Sequence, residues 1–294
     1  MKIEGVLPAL LTPFTAEEEV DIPALERLID RLYASADIAG LYVCGQTGEG
    51  LEQSPAMRRM VVETAVQRSP AGKKVIAHVG AARAGDAIEL ARHAADAGVC
   101  AVSSLPPRGG YGFEEFRSYY ASLASASPAP VVIYYYPEVA PGLSSSEVVD
   151  LCSVPNVAGV KFTSFELHRI AEMIRAGALV LNGRDEVFAA GLLMGAAGGI
   201  GSFYNVAPKM FCEVYRAAMN GHWDEARRVQ DCIGRLISIV LQFPMIPALK
   251  KMLEWSGLSC GSALEPRRKL TAEEERVLRG ALEAAGFDPA GFPS

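Results

Sequence analysis

PVVIYYY, residues 130–136, carries no charge at any position and ends against Pro137. A strand with one solvated face alternates apolar and polar residues, so a run this apolar suits a strand covered on both faces, as in a parallel sheet with crossover helices. KVIAHVG, residues 74–80, reads the same way. Outward from these two, strand-like runs recur at Val6 to Thr12, Gly40 to Gly45, Cys100 to Leu105, Val157 to Thr163, Leu179 to Gly183 and Gly199 to Tyr204. The segments between them have helical periodicity, among them DIPALERLIDRLYAS and SPAMRRMVVETAVQRS, which open on the capping residues Asp21 and Ser54 with a proline in the first turn. Eight strand and helix units predict an α/β fold, a (β/α)₈ TIM barrel, over a doubly wound sheet. From His222 onward the chain is helical in three segments. The expected organisation is therefore a catalytic barrel over 1–221 and a C-terminal three-helix extension over 222–294, packed on the barrel.

Half of the 294 residues are hydrophobic and 21% are charged, a globular composition with no low-complexity tract. The net charge of −6 argues against nucleic acid or an anionic membrane as partner, since either calls for a concentrated basic surface. Cysteines 44, 100, 152, 212, 232 and 260 form no close pairs and lie mostly within apolar runs, as reduced, buried thiols of a cytoplasmic protein do. Pro8, Pro13 and Glu4 spoil a signal peptide in MKIEGVLPALLTPF, and no run is long enough for a transmembrane helix.

Barrel chemistry sits where strand C-termini meet their following loops. Here those ends read GQTGEG, YYYP, GVKFTS, NGRDE and GIGSFYN. In GVKFTS, Lys161 lies between Val160 and Phe162, where desolvation lowers an amine's pKa toward neutrality and makes it a nucleophile for a keto group. The iminium that results is an electron sink for making or breaking a neighbouring carbon–carbon bond. A strand-end lysine that pairs with a carboxylate or reaches solvent accounts for the residue equally well. Alternation sends Tyr134 and Tyr136 to one side of their strand and Tyr135 to the other, so one set faces the barrel axis and can relay protons, while packing explains any of the three. The turn of Gln46, Thr47 and Gly48 offers a hydroxyl and backbone amides suited to a carboxylate. Asp185 and Glu186 start a helix, and capping alone suffices to explain them. GLSCG, residues 257–261, follows a helix and not the strand that a nucleophile elbow requires, so Gly257 reads as a helix C-cap. GGIG, AGKK and the four histidines match no nucleotide or metal pattern.

With these residues assembled, the chain resembles the family of Schiff-base aldolases that contains N-acetylneuraminate lyase and dihydrodipicolinate synthase. The resemblance rests on GVLPALLTPF, the G-x-T-G-E turn at Gly45 to Glu49, the Y-x-x-P strand end at Tyr134 to Pro137 and G-x-K at Gly159 to Lys161. It implies a barrel with three C-terminal helices, commonly a homotetramer, working without metal or organic cofactor. It also implies Lys161 as the Schiff-base lysine, Tyr134 as the proton relay, and Gln46, Thr47 and Gly48 around the carboxylate of pyruvate. IAHVG, VKFTS and NGRDEVFAAGLLMGAAGGIGS look most like the N-acetylneuraminate lyase branch. There, Thr163, Gly183, Asp185, Glu186 and Ser202 would meet the hydroxyl-rich tail of a sugar acid that is cleaved to pyruvate and a sugar aldehyde, with Gly201 also in the substrate site. PEVAPG lacks the arginine that the synthase branch carries after Y-x-x-P, and SSLPPRGGYG lacks its aromatic pair. The lyase pattern is itself broken at Gln46, where serine or threonine is usual, at Phe203, which replaces the threonine of G-S-T-Y-N, and in PEVAPG, which is one residue longer. A 2-keto-3-deoxygluconate aldolase or dehydratase, a dihydrodipicolinate synthase and a non-catalytic keto-acid binder stand as alternatives.

Overall fold

The computed structural model describes residues 3–292; the outermost residues of the two expected segments, 1–2 and 293–294, lie outside the described residues. Eight parallel strands form one sheet: β1 (Gly5–Pro8), β2 (Gly40–Val43), β3 (Lys74–His78), β4 (Ala101–Ser104), β5 (Val131–Tyr135), β6 (Val157–Phe162), β7 (Leu179–Asn182) and β8 (Gly198–Gly201). Each pairs with its sequence neighbours, and β8 returns to β1. Between β1 and β2 the ring closes through Ala39 N donating to Val6 O and Leu10 N donating to Tyr42 O, both at 2.8 Å. This is the closed barrel that the sequence predicts.

The strands end earlier than the apolar runs suggest. β2 stops at Val43 because Cys44 takes a left-handed φ of 58°, and β8 stops at Gly201 because Phe203–Asn205 winds into a 3₁₀ turn. The freed residues become the loops of the C-terminal rim.

Eight helices follow the strands in turn: α1 (Ile22–Ser35), α2 (Pro55–Arg68), α3 (Ala84–Asp96), α4 (Phe113–Ala126), α5 (Ser145–Leu151), α6 (His168–Arg175), α7 (Phe188–Leu193) and α8 (Pro208–Met219). The Asp21 carboxylate accepts from Ala24 N at 2.9 Å and the Ser54 hydroxyl from Met57 N at 3.2 Å, so both predicted caps form. One large apolar core fills the space between strands and helices, and a second, including Leu7, Tyr42, Ile76, Val132, Leu181 and Ile200, plugs the barrel axis.

Three more helices follow, α9 (Trp223–Val240), α10 (Met245–Trp255) and α11 (Ala272–Ala284). Gly257, at φ 86°, follows α10 as the expected C-terminal cap, with Leu258 N bonded back to Leu253 O. No single helix among the described residues is long and apolar enough to cross a membrane; α9 and α10 meet that measure only as a pair bent by 108°. All six cysteines are free, Cys44, Cys212 and Cys260 buried and the other three half-buried, so the expectation of burial holds for half of them.

Candidate active site

Tyr134 and Lys161 are register partners on β5 and β6, so both side chains leave the ladder on the same face, toward the barrel axis. Lys161 is 4% exposed, and its Nζ lies 3.9 Å from the centre of the Tyr134 ring and 4.4 Å from that of Tyr42. Burial pushes the amine down to about 7, against a smaller opposing pull from Asp185. No carboxylate pairs with Lys161 at bonding distance among the described residues, which removes the salt-bridge explanation left open by the sequence.

The phenol of Tyr134 is held well above the usual range by burial, and so stays protonated at neutral pH. Tyr136 stacks on it with ring centres 6.0 Å apart, whereas Tyr135 points outward and stacks on Phe162 at 5.3 Å. Alternation thus chooses Tyr134 and Tyr136 as the inward set. Thr163 exerts a lowering pull on the Tyr134 phenol, but its own Oγ1 is buried and completes no hydrogen bond.

Around Lys161 lies a cavity of about 100 Å³, lined by Gln46, Thr47, Tyr134, Tyr136, Thr163, Gly183, Arg184, Asp185, Glu186, Ile200, Ser202, Phe203, Leu241 and Met245. Nine of the eleven expected site residues, Lys161 included, meet there. Gly48 and Gly201 stand behind the wall. The Gly48 carbonyl is held by Thr12 Oγ1 at 2.8 Å and Gln53 Nε2 at 2.6 Å. A Cβ on Gly201 would fall 2.0 Å from Asp185 Oδ1, and one on Gly183 2.1 Å from Thr163 Oγ1, so these glycines supply room for the polar groups beside them.

The turn after β2 is closed by Glu49 N to Gln46 O (3.2 Å) and Gly50 N to Gly45 O (3.0 Å). The amides of Thr47 and Gly48 have no partner among the described residues, an arrangement that suits an anion. Ser202, expected at the substrate's far end, lies with its Oγ 2.6 Å from Thr47 Oγ1, beside the turn after β2. Gln46 Oε1 is buried without a partner.

Asp185 does more than cap a turn. Its Oδ2 accepts from Phe203 N at 2.9 Å, and burial raises its carboxyl to about 7. At the mouth, Arg184 pairs with Glu138 and lies over the rings of Tyr136 and Phe165, with its guanidinium carbon 5.2 and 4.5 Å from their centres. Tyr42, Arg184, Leu241 and Met245 were not anticipated from sequence. Tyr42 reads as ordinary core in GLYVCG, and Leu241 and Met245 come from the extension, across the barrel rim from the strands they face.

A barrel with a desolvated lysine at its catalytic rim, beside a protonated tyrosine and an open amide turn, defines an enzyme that works through an imine. The family model for the dihydrodipicolinate synthetase family matches residues 2–285, and the chain belongs to that family of pyruvate-dependent Schiff-base aldolases and lyases. It is 36% identical over 287 residues to N-acetylneuraminate lyase of Rhizobium meliloti, covering 96% of this chain and 95% of that protein. The sialic acid aldolase of Ruminococcus gnavus superposes with a TM-score of 0.90 at 28% identity, over 96% of this chain and 97% of that one, and a catalytic lysine mutant of that aldolase matches with the same TM-score and identity over 96% and 95%. A dihydrodipicolinate synthase superposes with a TM-score of 0.89 at 29% identity, over 97% and 99%. Backbone shape is therefore shared across both branches.

Proposed function

We propose that this class I aldolase cleaves a 2-keto-3-deoxy sugar acid, N-acetylneuraminate or a relative, to pyruvate and a sugar aldehyde. The observation that carries the chemistry is the buried Lys161 amine, near half-neutral at pH 7, set between the Tyr134 and Tyr42 rings beside the open turn. The substrate carboxylate sits on the Thr47 hydroxyl and the amides of Thr47 and Gly48, which brings the keto carbon to Lys161. Nζ attacks that carbon, the carbinolamine loses water, and the protonated imine remains. Its positive nitrogen accepts the electrons of the C3–C4 bond as the C4 hydroxyl gives up its proton, so the aldehyde leaves and an enamine stays on Lys161. Protonation at C3 and hydrolysis release pyruvate and restore the amine. Tyr134, a phenol in the resting enzyme, gives its proton to the hydroxyl that leaves the carbinolamine as water, and the phenolate so formed takes the C4 hydroxyl proton at cleavage, which restores the phenol.

The choice of sugar acid is supported by the lyases among the relatives and by a polar far wall of Thr163, Asp185 and Glu186. A different keto acid, such as 2-keto-3-deoxygluconate, is favoured by the cavity of about 100 Å³ with Arg184 at its mouth. The family resemblance and the six free cysteines support a homotetramer in the cytoplasm. Reduction with borohydride in the presence of pyruvate, followed by peptide mass measurement, should place the adduct on Lys161; an unmodified Lys161 would sink the mechanism. Negligible cleavage of N-acetylneuraminate beside clear turnover of a shorter keto acid would replace the first substrate with the second.

A further inference from the structure

Glu49 belongs to the turn that leaves the Thr47 and Gly48 amides open, yet its side chain is no part of the cavity wall. It is fully buried, and it points the other way, into the C-terminal extension. Oε1 pairs with Lys250 Nζ of α10 at 2.8 Å, and Oε2 accepts from Leu264 N at 2.7 Å in the irregular segment between α10 and α11. Lys250 is itself 3% exposed and donates to Ser262 O at 2.9 Å, while Arg267 lies 3.7 Å from Oε2 and bridges to Glu52 at 3.1 Å. The backbone of Glu49 has φ 57°, a left-handed conformation that a residue with a side chain adopts only when its surroundings hold it there.

From this geometry we infer that Glu49 is a positioning residue for the keto-acid carboxylate, and that Lys250 with the 262–264 segment makes the C-terminal extension part of that site. The turn has two sides. On one, Thr47 lines the cavity around Lys161, and its amide and that of Gly48 have no partner among the described residues; on the other, the Glu49 carboxylate is fastened to groups from beyond residue 249. Releasing that fastening lets residue 49 relax toward negative φ, which rotates the neighbouring peptide planes and turns the amides from the anion. The inference rests on the proposed keto-acid reading, since it concerns the carboxylate that reading places on the turn. Leu241 and Met245, which line the cavity from the same extension, show independently that this part of the chain reaches the site.

The test compares two carbonyl compounds trapped on Lys161 by cyanoborohydride: pyruvate, and hydroxyacetone, which has a keto group and no carboxylate. In the intact protein pyruvate should reach half-saturation at far lower concentration. In E49Q and in K250M the ratio of half-saturating pyruvate to half-saturating hydroxyacetone should rise by about 10-fold to 100-fold, as expected for a misplaced anion site. E49Q/K250M, which leaves no unpaired buried charge, should fold where a single variant does not, and should show the same rise. An unchanged ratio in the folded variants, with a lowered melting temperature, would make the ion pair structural only and overturn the inference. Equal half-saturation of the two compounds in the intact protein would instead overturn the reading of the turn as a carboxylate site.

Discussion

Burial of Lys161 should have two measurable ends, one in reactivity and one in stability. At pH 7 a lysine at its ordinary 10.5 is about 0.03% free amine, whereas one near 7 is about half free, roughly a thousandfold gain in nucleophile. The initial rate of pyruvate trapping on Lys161 should therefore rise with pH, pass its midpoint near 7 and level off by about pH 8. The same shift opposes folding. Between about 7 and 10.5 the unfolded chain holds a proton at this site that the folded protein lacks, so folding gains stability as pH rises through that window and carries the full penalty below it. Lys161→Met removes the penalty: it should stabilise the fold by about 5 kcal/mol at pH 6, about 3 kcal/mol at pH 8 and about 1 kcal/mol at pH 9.5, while abolishing trapping. Asp185 alters this little at pH 8, where the amine is already about nine-tenths neutral and offers it almost no charge. Urea unfolding followed by circular dichroism at the three pH values gives the stabilities directly. A Lys161→Met protein that gains nothing, or gains the same amount at every pH, would refute the claim that desolvation tunes this amine; so would a trapping rate still climbing tenfold per pH unit at pH 9.

Asp185→Asn should move the midpoint of pyruvate trapping below 7, because the carboxylate is what partly holds the Lys161 proton on; a midpoint that moves up would contradict this. Tyr134→Phe should lower kcat for cleavage by about 10² to 10⁴ while Lys161 still forms a reducible adduct at saturating pyruvate, and near-normal turnover would remove the proton relay from Tyr134. Gly183→Ala drives a methyl into Thr163 Oγ1, and Gly201→Ala drives one into Asp185 Oδ1; each should lower stability by about 1–3 kcal/mol in thermal unfolding and depress turnover, whereas a silent Gly201→Ala would show that Asp185 can move freely.

What the sequence reveals and what it hides follow from one distinction. Hydrophobic pattern reports which face of an element is buried, and eight both-face-buried runs with helices between them leave few alternatives to a barrel. Pattern also separates Tyr135 from Tyr134 and Tyr136, since that is a question of faces. It does not report what stands opposite across the axis. Tyr42 lies 119 positions before Lys161 and reaches it only because the ring closes between β1 and β2. Ser202, assigned by its motif to the far end of the substrate, lies on Thr47 because β8 returns to β1 and ends beside the turn after β2. The same blindness applies between barrel and extension. In PALKKML nothing distinguishes Lys250 from Lys251, yet one is buried against Glu49 and the other sits at the edge between Glu254 and Glu275. A one-residue step along α10 turns a side chain by about 100°, enough to send one lysine under the turn after β2 and leave the next at the rim. Residues whose partners lie on their own element are thus legible from spacing alone. Residues such as Glu49, whose partner arrives from 201 positions away, show their role only when the closed barrel and its extension are seen together.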